Sequence, residues 1–326
     1  MHTRSNYPQV WTVVPGDRCC LKRFSGQIRP HANHLITGMK DPSLCANGNN
    51  VASMTDSGPD VGWLTAGYLS GGLGLGTVED RLLNIGWVTG MSFDPLHMRR
   101  GGDKSGGLTV PREINYDPRL RTLVANPVRE LVNLCNGTLT TEEHVQLSAG
   151  SPYALPGTGG GEAASADIDI TVSLPAEAVV VGVVVLSNKG YVPPGEGATN
   201  HGVQITATLT TPQSDGSRTG LVNISSHNVA ACVPGSKFPC EDYRTAQSPL
   251  TLLPGETTLR MRVLVDRVVV EAFVQGGRVQ FTKSYIPPTI NDSVVHVFSS
   301  VDTSAPSVSA WSMGCGWVGV DEEYRG

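Results

Sequence analysis

The chain has 326 residues, which is long enough for two domains that each bury a core of their own. Its formal net charge is -5 and only 16% of its residues are charged, so the composition gives no support for binding to nucleic acid or to an anionic membrane. The 38 glycines and 22 prolines favour many short strands and turns over long helices. The longest apolar run, Ala178 to Leu186, is far shorter than the roughly 20 residues of a membrane span, and its valines suit a buried strand.

The sequence leaves the cellular compartment open. The N-terminus shows no apolar segment of the kind that a secretory signal carries. Sequons for N-glycosylation at Asn136, Asn223 and Asn291 hint at secretion only weakly, since such triplets are common by chance. Seven cysteines without a C-x-x-C pair give little support for a zinc site, and His31 and His34 lack identifiable partner ligands. We therefore expect no cofactor and no metal.

The N-terminal third of the chain is glycine-rich, with short strand candidates at Arg81–Val88 and Gly106–Tyr116. The segment "NPVRELVNL", from Asn126 to Leu134, then predicts the one short helix of the chain. Pro127 suits a first helical turn, and the spacing of the apolar residues at 128, 131 and 132 places them on one face. We expect this helix, at 126–135, to link an N-terminal domain of residues 1–125 to a C-terminal domain of residues 136–326.

Beyond the predicted helix the apolar period becomes two. The alternating runs are "DIDITVSL", "GVQITATLT", "LRMRVLV", "VVVEAFV" and "RVQFTKSY". Clusters of proline and glycine, such as "GTGGGEAA" and Gly276-Gly277, separate these runs. Such a succession predicts an antiparallel β-sandwich.

The most regular stretch, Leu259 to Phe281, carries two carboxylates, Asp266 and Glu271, within apolar alternation. It predicts a strand to Val265, a turn at Asp266-Arg267, a second strand to Val274 and a hairpin turn at residues 275–277. Along an extended chain the two carboxylates would lie roughly 16 Å apart. Retaining glycosidases need about 5–5.5 Å and inverting ones about 6.5–9.5 Å, so we interpret the pair as architecture, with Glu271 a semi-buried, hydrogen-bonded strand residue.

Three stretches of the chain resemble glycoside hydrolase family 32, the invertases and related β-fructofuranosidases. The stretch "LRMRVLVDRVVVEAFVQGGRVQFTKSYIP" is similar to the family's "LRVLVDRSSVEVFVNDGR…FTSRIYP". "DRLLNIGWV" is similar to "RRILIGWL", and "GGLTVPREINYDPRLRTLVANPVREL" to "SLPRELTLD…LLQRPVEEL". The resemblance implies an all-β protein with the last blades of a five-bladed β-propeller, followed by a C-terminal antiparallel β-sandwich.

The family's catalytic motifs do not appear in this chain. W-x-N-D-P-N-G, R-D-P and E-C-P are all absent, and the opening "SNYPQVW" resembles the tail of the last of them. The resemblance then places Asn6 at the position of the acid/base glutamate, and an asparagine has no titratable proton to give. We accordingly name no catalytic residue and expect the chain to be inactive, with about three propeller blades missing.

The resemblance also implies roles for three further residues. Trp87 would lie near the fructose site or fill the core of a blade, while Arg112 and Glu113 would bridge propeller and sandwich. The implied partner is a fructose-containing oligosaccharide, and the implied location is extracellular, vacuolar or lysosomal. Three hypotheses follow: the C-terminal portion of a β-fructofuranosidase-type enzyme, a non-catalytic carbohydrate- or protein-binding relic, or a fragment whose open propeller edge aggregates.

Overall fold

The computed structural model describes residues 34–39, 51–54, 61–69, 81–88, 107–188, 190–191, 201–227, 245–285 and 293–314, and nearly all of its regular structure is β. In chain order the strands are β1 His34–Met39, β2 Val51–Met54, β3 Val61–Leu69, β4 Arg81–Val88, β5 Gly107–Leu108, β6 Arg112–Asp117, β7 Thr122–Pro127, β8 Cys135–Leu147, β9 Tyr153–Ala154, β10 Ser165–Ser173, β11 Val179–Ser187, β12 Gly202–Leu209, β13 Arg218–His227, β14 Ala246–Leu252, β15 Thr258–Asp266, β16 Val269–Val274, β17 Val279–Ser284, β18 Val294–Ser299 and β19 Thr303–Met313. Within the described residues two 3-10 helices accompany them, Arg129–Leu134, here called the linker helix, and Glu162–Ala164.

The strands before the 3-10 helix Arg129–Leu134 form a small antiparallel sheet, here called the N-terminal sheet. Its order is β3-β4-β6-β7, and the short β5 also pairs with β4. Strands β1 and β2 pair separately. Four antiparallel strands are the content of one propeller blade, but a propeller built from such blades stays a prediction.

The rest of the chain is the predicted β-sandwich, which the structure confirms. One six-stranded sheet, here the linker-side sheet, has the order β17-β16-β15-β10-β19-β8. The other, here the distal sheet, has the order β14-β13-β12-β11-β18-β9. Alternate residues of both sheets face inward and form one continuous apolar core, including Ile168, Val183, Ile205, Ile224 and Phe281.

Strand β11 is apolar on both faces, which explains its unbroken run of valines. Its outer face is covered by a small cluster of Val184, Tyr191 and Phe298. Gly182 lies under the aromatic ring of this cluster, where a Cβ atom would come within 2.3 Å of Phe298 Cζ. The absence of a side chain at Gly182 therefore makes room for the Phe298 ring.

The segment predicted as a helix differs from the expectation. Pro127 ends strand β7, and the helix that follows is a 3-10 helix of six residues that begins at Arg129. Val128 and Leu131 are buried, but Val132 is 65% exposed. A 3-10 helix has three residues per turn, so residues three apart share a face and the fourth turns away. Among the described residues, no helix is long and apolar enough to cross a membrane.

Candidate functional site

A set of specific side-chain contacts joins the N-terminal sheet to the sandwich. Arg112, on β6, is completely buried, and its Nη2 donates hydrogen bonds to Glu271 Oε2 at 2.5 Å and to Thr282 Oγ1 at 2.6 Å. The guanidinium carbon lies 5.2 Å from the centroid of the Phe273 ring. A planar cation on β6 of the N-terminal sheet is thus joined to two strands of the linker-side sheet, β16 and β17.

Both carboxylate oxygens of Glu271 accept hydrogen bonds from the N-terminal side of the junction. Oε2 accepts the bond from Arg112, and Oε1 accepts a bond from the backbone N–H of Val110 at 2.7 Å. The residue is 3% exposed, so each acceptor is satisfied by a donor from the N-terminal side of the junction. The prediction of a buried, hydrogen-bonded structural role for Glu271 is confirmed.

A second contact docks the β16–β17 hairpin turn against β7. Ala125 N–H donates to the carbonyl oxygen of Gly277 at 3.0 Å, and Asn126 Nδ2 donates to that of Gly276 at 2.9 Å. Gly277 has a φ of 76°, and a Cβ atom there would lie 2.3 Å from the carbonyl oxygen of Ala125. Glycine is therefore required both by the turn conformation and by the close approach of β7.

Apolar side chains fill the space around the ion pair. Val128 and Leu131 from the linker pack on Leu264 and Phe273 of the linker-side sheet. Leu83, Val110 and Leu134 border this cluster. The junction combines an enclosed charge pair with an apolar surround, so it excludes water from the Arg112 guanidinium.

A cavity of about 500 Å³ opens beside the junction, between the linker helix and the edge of β15 and β16. Leu131, Leu134 and Met313 line it together with both carboxylates, Asp266 and Glu271. The predicted separation of these two carboxylates along an extended chain is wrong. The strands form a hairpin in which Asp266 pairs with Val269, so Asp266 and Glu271 share one face, and diagonal neighbours of this kind lie roughly 7–8 Å apart.

That proximity does not make the two carboxylates a hydrolytic pair. Asp266 is exposed at the end of β15, but Glu271 is buried and both of its oxygens already accept hydrogen bonds. A nucleophile or an acid needs a lone pair or a proton that reaches the substrate, and Glu271 is 3% exposed. Within the described residues, no group of His, Cys, Asp or Glu side chains could hold a metal ion.

The structure leaves two of the predicted site residues untested. Asn6 lies outside the described residues, as do His31 and the cysteines at positions 19, 20, 232 and 240. Trp87 lies on β4, where its backbone pairs with Trp63 and Leu108, but its side chain is outside the described part. The roles of Asn6 and Trp87 toward a sugar therefore stay predictions.

Of the two residues predicted to bridge the domains, Arg112 does so. Glu113 lies on β6 opposite Leu83 and Asn126, and its Oε1 accepts a bond from Asn115 Nδ2 at 3.4 Å on the same strand. Its bridging role stays a prediction. The sequence did not predict the contacts of Thr282 and of the Val110 N–H. Threonine is common in strands and every residue except proline has a backbone N–H, so no sequence pattern distinguishes these two donors and acceptors from others nearby.

Comparisons with solved structures identify the fold. The chain matches fructan 1-exohydrolase IIa from Cichorium intybus with a TM-score of 0.65 at 17% identity, over 85% of this chain and 54% of that chain. It matches an exo-inulinase from Aspergillus awamori with a TM-score of 0.57 at 16% identity, over 83% of this chain and 46% of that chain. The class defined by the fold is thus an all-β protein with a C-terminal sandwich like that of these enzymes.

Sequence comparisons identify the family. The model for the C-terminal domain of glycosyl hydrolases family 32 matches residues 134–312, more than half of the chain. An acid β-fructofuranosidase of Solanum lycopersicum is 25% identical over 253 residues, which are 72% of this chain and 38% of that protein. An insoluble β-fructofuranosidase isoenzyme of Arabidopsis thaliana is 29% identical over 99 residues, 30% of this chain and 17% of that protein. The chain belongs to glycosyl hydrolase family 32 and carries its C-terminal domain, and it spans well under half the length of these two relatives.

Proposed function

We propose that the chain is the C-terminal portion of a β-fructofuranosidase-type glycoside hydrolase and that it holds a propeller in place without hydrolysing sugar itself. The observation that carries this proposal is the Arg112–Glu271 pair, which joins β6 of the N-terminal sheet to the sandwich. A sandwich that only covered its own core would not need to enclose an arginine from the preceding sheet. The arrangement serves to fix the angle between the two parts.

The proposed chemistry of the complete enzyme is hydrolysis of O-glycosyl bonds in sucrose-like fructosides through two carboxylates. The family's W-x-N-D-P-N-G, R-D-P and E-C-P motifs do not occur in this chain. Glu271 is the more buried of the two carboxylates that line the cavity, and its oxygens already accept hydrogen bonds from Arg112 and from the Val110 N–H. Loss of acid/base catalysis alone typically costs about 10²–10⁴-fold in rate, so we propose that residues 1–326 are inactive.

The proposed ligand of the completed enzyme is a fructose-containing oligosaccharide. One of the structural neighbours, a variant of the Cichorium intybus enzyme, was solved in complex with 1-kestose. In this chain Trp87 is the residue we propose near such a sugar, because the strand that carries it, β4, is central to the N-terminal sheet.

The test is an assay of purified residues 1–326 with sucrose, raffinose, inulin and 1-kestose, with released fructose separated by chromatography. An exo-inulinase at the same molar concentration serves as the positive control. We expect no release above a heat-denatured sample. Fructose release that follows the protein through a second purification step would contradict the proposed inactivity.

The alternative, a non-catalytic carbohydrate- or protein-binding module, gives a different result in a second measurement. Calorimetric titration with 1-kestose would then show saturable binding without hydrolysis. We expect no binding, because under our proposal the sugar pocket is completed only by further propeller blades. Saturable binding that is lost on substitution of a residue of the sandwich would favour the alternative.

A further inference from the structure

One sequon lies on a free edge of the sandwich. Asn136-Gly137-Thr138 occupies the start of β8, a strand of 13 residues at the end of the linker-side sheet. In the part of the chain that the structure describes, β8 pairs only with β19. The opposite edge of the same sheet is covered, because Thr282 of β17 receives the Arg112 bond and the turn before it docks on β7. Among the described residues, β8 is thus the edge that no further strand covers.

The register shows that Asn136 is an inserted residue in the β8–β19 ladder. Gly137 pairs with Ser312 and Cys135 pairs with Met313, which leaves Asn136 as the extra residue of a β-bulge. A bulge leaves its additional residue out of the ladder and bends the strand, often at a sheet edge. Asn136 therefore lies outside the regular β8–β19 ladder, at an irregular point of the strand.

The surroundings of Asn136 leave room for a large substituent. Asn136, Gly137 and Thr138 are all exposed. Across the bulge lies Gly314, where an added Cβ atom would come into van der Waals contact with Asn136 Cβ, at 3.6 Å. Glycine at this position therefore keeps a further side chain away from the asparagine.

The sequon at Asn223 has the opposite surroundings. Asn223 lies on β13, between β12 and β14, with Thr206 and Gln247 as its ladder neighbours. Its side chain is partly buried, and Oδ1 is enclosed without a hydrogen bond among the described residues. A glycan there would have to grow from the face of a strand inside the sheet, between the flanking Thr206 and Gln247, and from a partly buried amide. The third sequon, at Asn291, lies outside the described residues.

We propose that Asn136 is an N-glycosylation site of the folded protein and that Asn223 is not. The donor is an oligosaccharide linked to a polyprenyl pyrophosphate. The Asn136 Nδ2–C1 bond forms as the C1–O bond to the pyrophosphate breaks, and the proton lost from the amide leaves with the lipid pyrophosphate. The attached glycan covers the start of the β8 edge and prevents strand pairing with another molecule there.

The test directs residues 1–326, behind a cleavable leader, into the secretory pathway of a eukaryotic cell. The glycans are then released enzymatically in heavy-oxygen water, which marks each formerly occupied asparagine as a labelled aspartate in peptide mass spectra. We expect the label at Asn136 and its absence at Asn223. If the protein is not secreted, the same measurement is made on chain that has been imported into microsomes.

Three substitutions sharpen the experiment. Asn136→Gln and Thr138→Ala should each remove one glycan, whereas Thr138→Ser keeps the sequon and should keep the glycan. Endoglycosidase-trimmed protein should form more high-mass species than untrimmed protein in light scattering, and trimming should have no effect on Asn136→Gln. An unlabelled Asn136 in both secreted and imported chain, or a labelled Asn223 in secreted protein, would overturn the assignment.

Discussion

Arg112 Nη2 lies 2.5 Å from Glu271 Oε2, and the two residues are 159 positions apart in the chain. Both side chains are at most 4% exposed. Removing two charges from water is costly, so such a pair persists only where further hydrogen bonds satisfy both partners. Thr282 and the Val110 N–H supply these bonds, and the pair thereby fixes the position of β6 on the sandwich.

The first prediction concerns Glu271. Glu271→Gln should destabilise the chain by about 3–5 kcal/mol, because Arg112 loses its counter-charge in a buried site. A glutamine does not restore the site. Both oxygens of Glu271 accept hydrogen bonds, whereas the NH₂ group of a glutamine would point a donor at one of the two donors, Arg112 or the Val110 N–H. Chemical denaturation of the two proteins measures the difference.

The control for Glu271→Gln is Arg119→Ala. Arg119 pairs with Asp117 at the surface, with 65% of its side chain exposed, so its loss should leave the denaturation midpoint almost unchanged. A Glu271→Gln midpoint equal to that of the Arg119→Ala protein would show that the buried pair contributes little.

The second prediction concerns Gly277. Gly277→Ala should destabilise the chain by about 2 kcal/mol or more, because it adds the strain of a left-handed alanine to a clash with the Ala125 carbonyl oxygen. Gly276→Ala is the matched control: its φ is also positive, at 63°, but nothing lies within 4 Å of its would-be Cβ atom. It should cost about 1 kcal/mol. Equal losses in thermal stability for the two variants would mean that β7 does not approach the turn closely.

The hairpins of the sandwich could be predicted because their signals are local. Alternation over Leu259–Phe281 and the two adjacent glycines predicted β15, β16 and β17 to within a few residues. The pairing of Arg112 with Glu271 could not be predicted in the same way. It joins residues that are distant in the chain, and no local pattern specifies which arginine meets a buried carboxylate.

Strands β8 and β19 escaped prediction for identifiable reasons. As an edge strand, β8 has many exposed positions and two irregularities in its register, so its apolar period is broken. Strand β19 contains Pro306, a residue that argues against an interior strand. The proline is accommodated where β19 passes His144, whose φ is 56° and whose backbone therefore departs from regular strand geometry.

The third prediction concerns the sandwich by itself. Residues 134–326 should fold cooperatively, because all the described residues of the main apolar core come from the sandwich itself. The isolated sandwich should nevertheless bind more of a hydrophobic dye than the whole chain, since Phe273 loses the cover of Val128. Denaturation monitored by tryptophan fluorescence and by circular dichroism should give coincident transitions. Separate transitions would contradict the independence of the sandwich.

The fourth prediction concerns acid stability and Glu256. Its carboxylate oxygens accept two hydrogen bonds from Arg278, each at 2.6 Å, and one from the Leu253 N–H at 2.7 Å. Burial by itself raises the pKa of Glu256, but these hydrogen bonds outweigh it, so the pKa lies below its usual value of 4.5. Arg119 also lowers this pKa through its charge. A depressed pKa in the folded state means that the carboxylate stabilises the fold above pH 4.5, and that this contribution is lost as the pH falls through the folded pKa.

Glu256→Gln should therefore lower the melting temperature at pH 6, and its effect should shrink as the pH falls from 4.5 through the folded pKa, where the wild-type carboxyl takes up its proton. Arg278→Lys is the companion variant. A lysine keeps the positive charge but cannot form the paired hydrogen bonds that the arginine donates to the two oxygens of Glu256. It should lower the melting temperature at pH 6 by less than Glu256→Gln does. Melting curves of the three proteins between pH 3 and pH 7 provide the measurement. A gap between wild type and Glu256→Gln that stays constant over this range would show that ionisation of Glu256 is not coupled to folding.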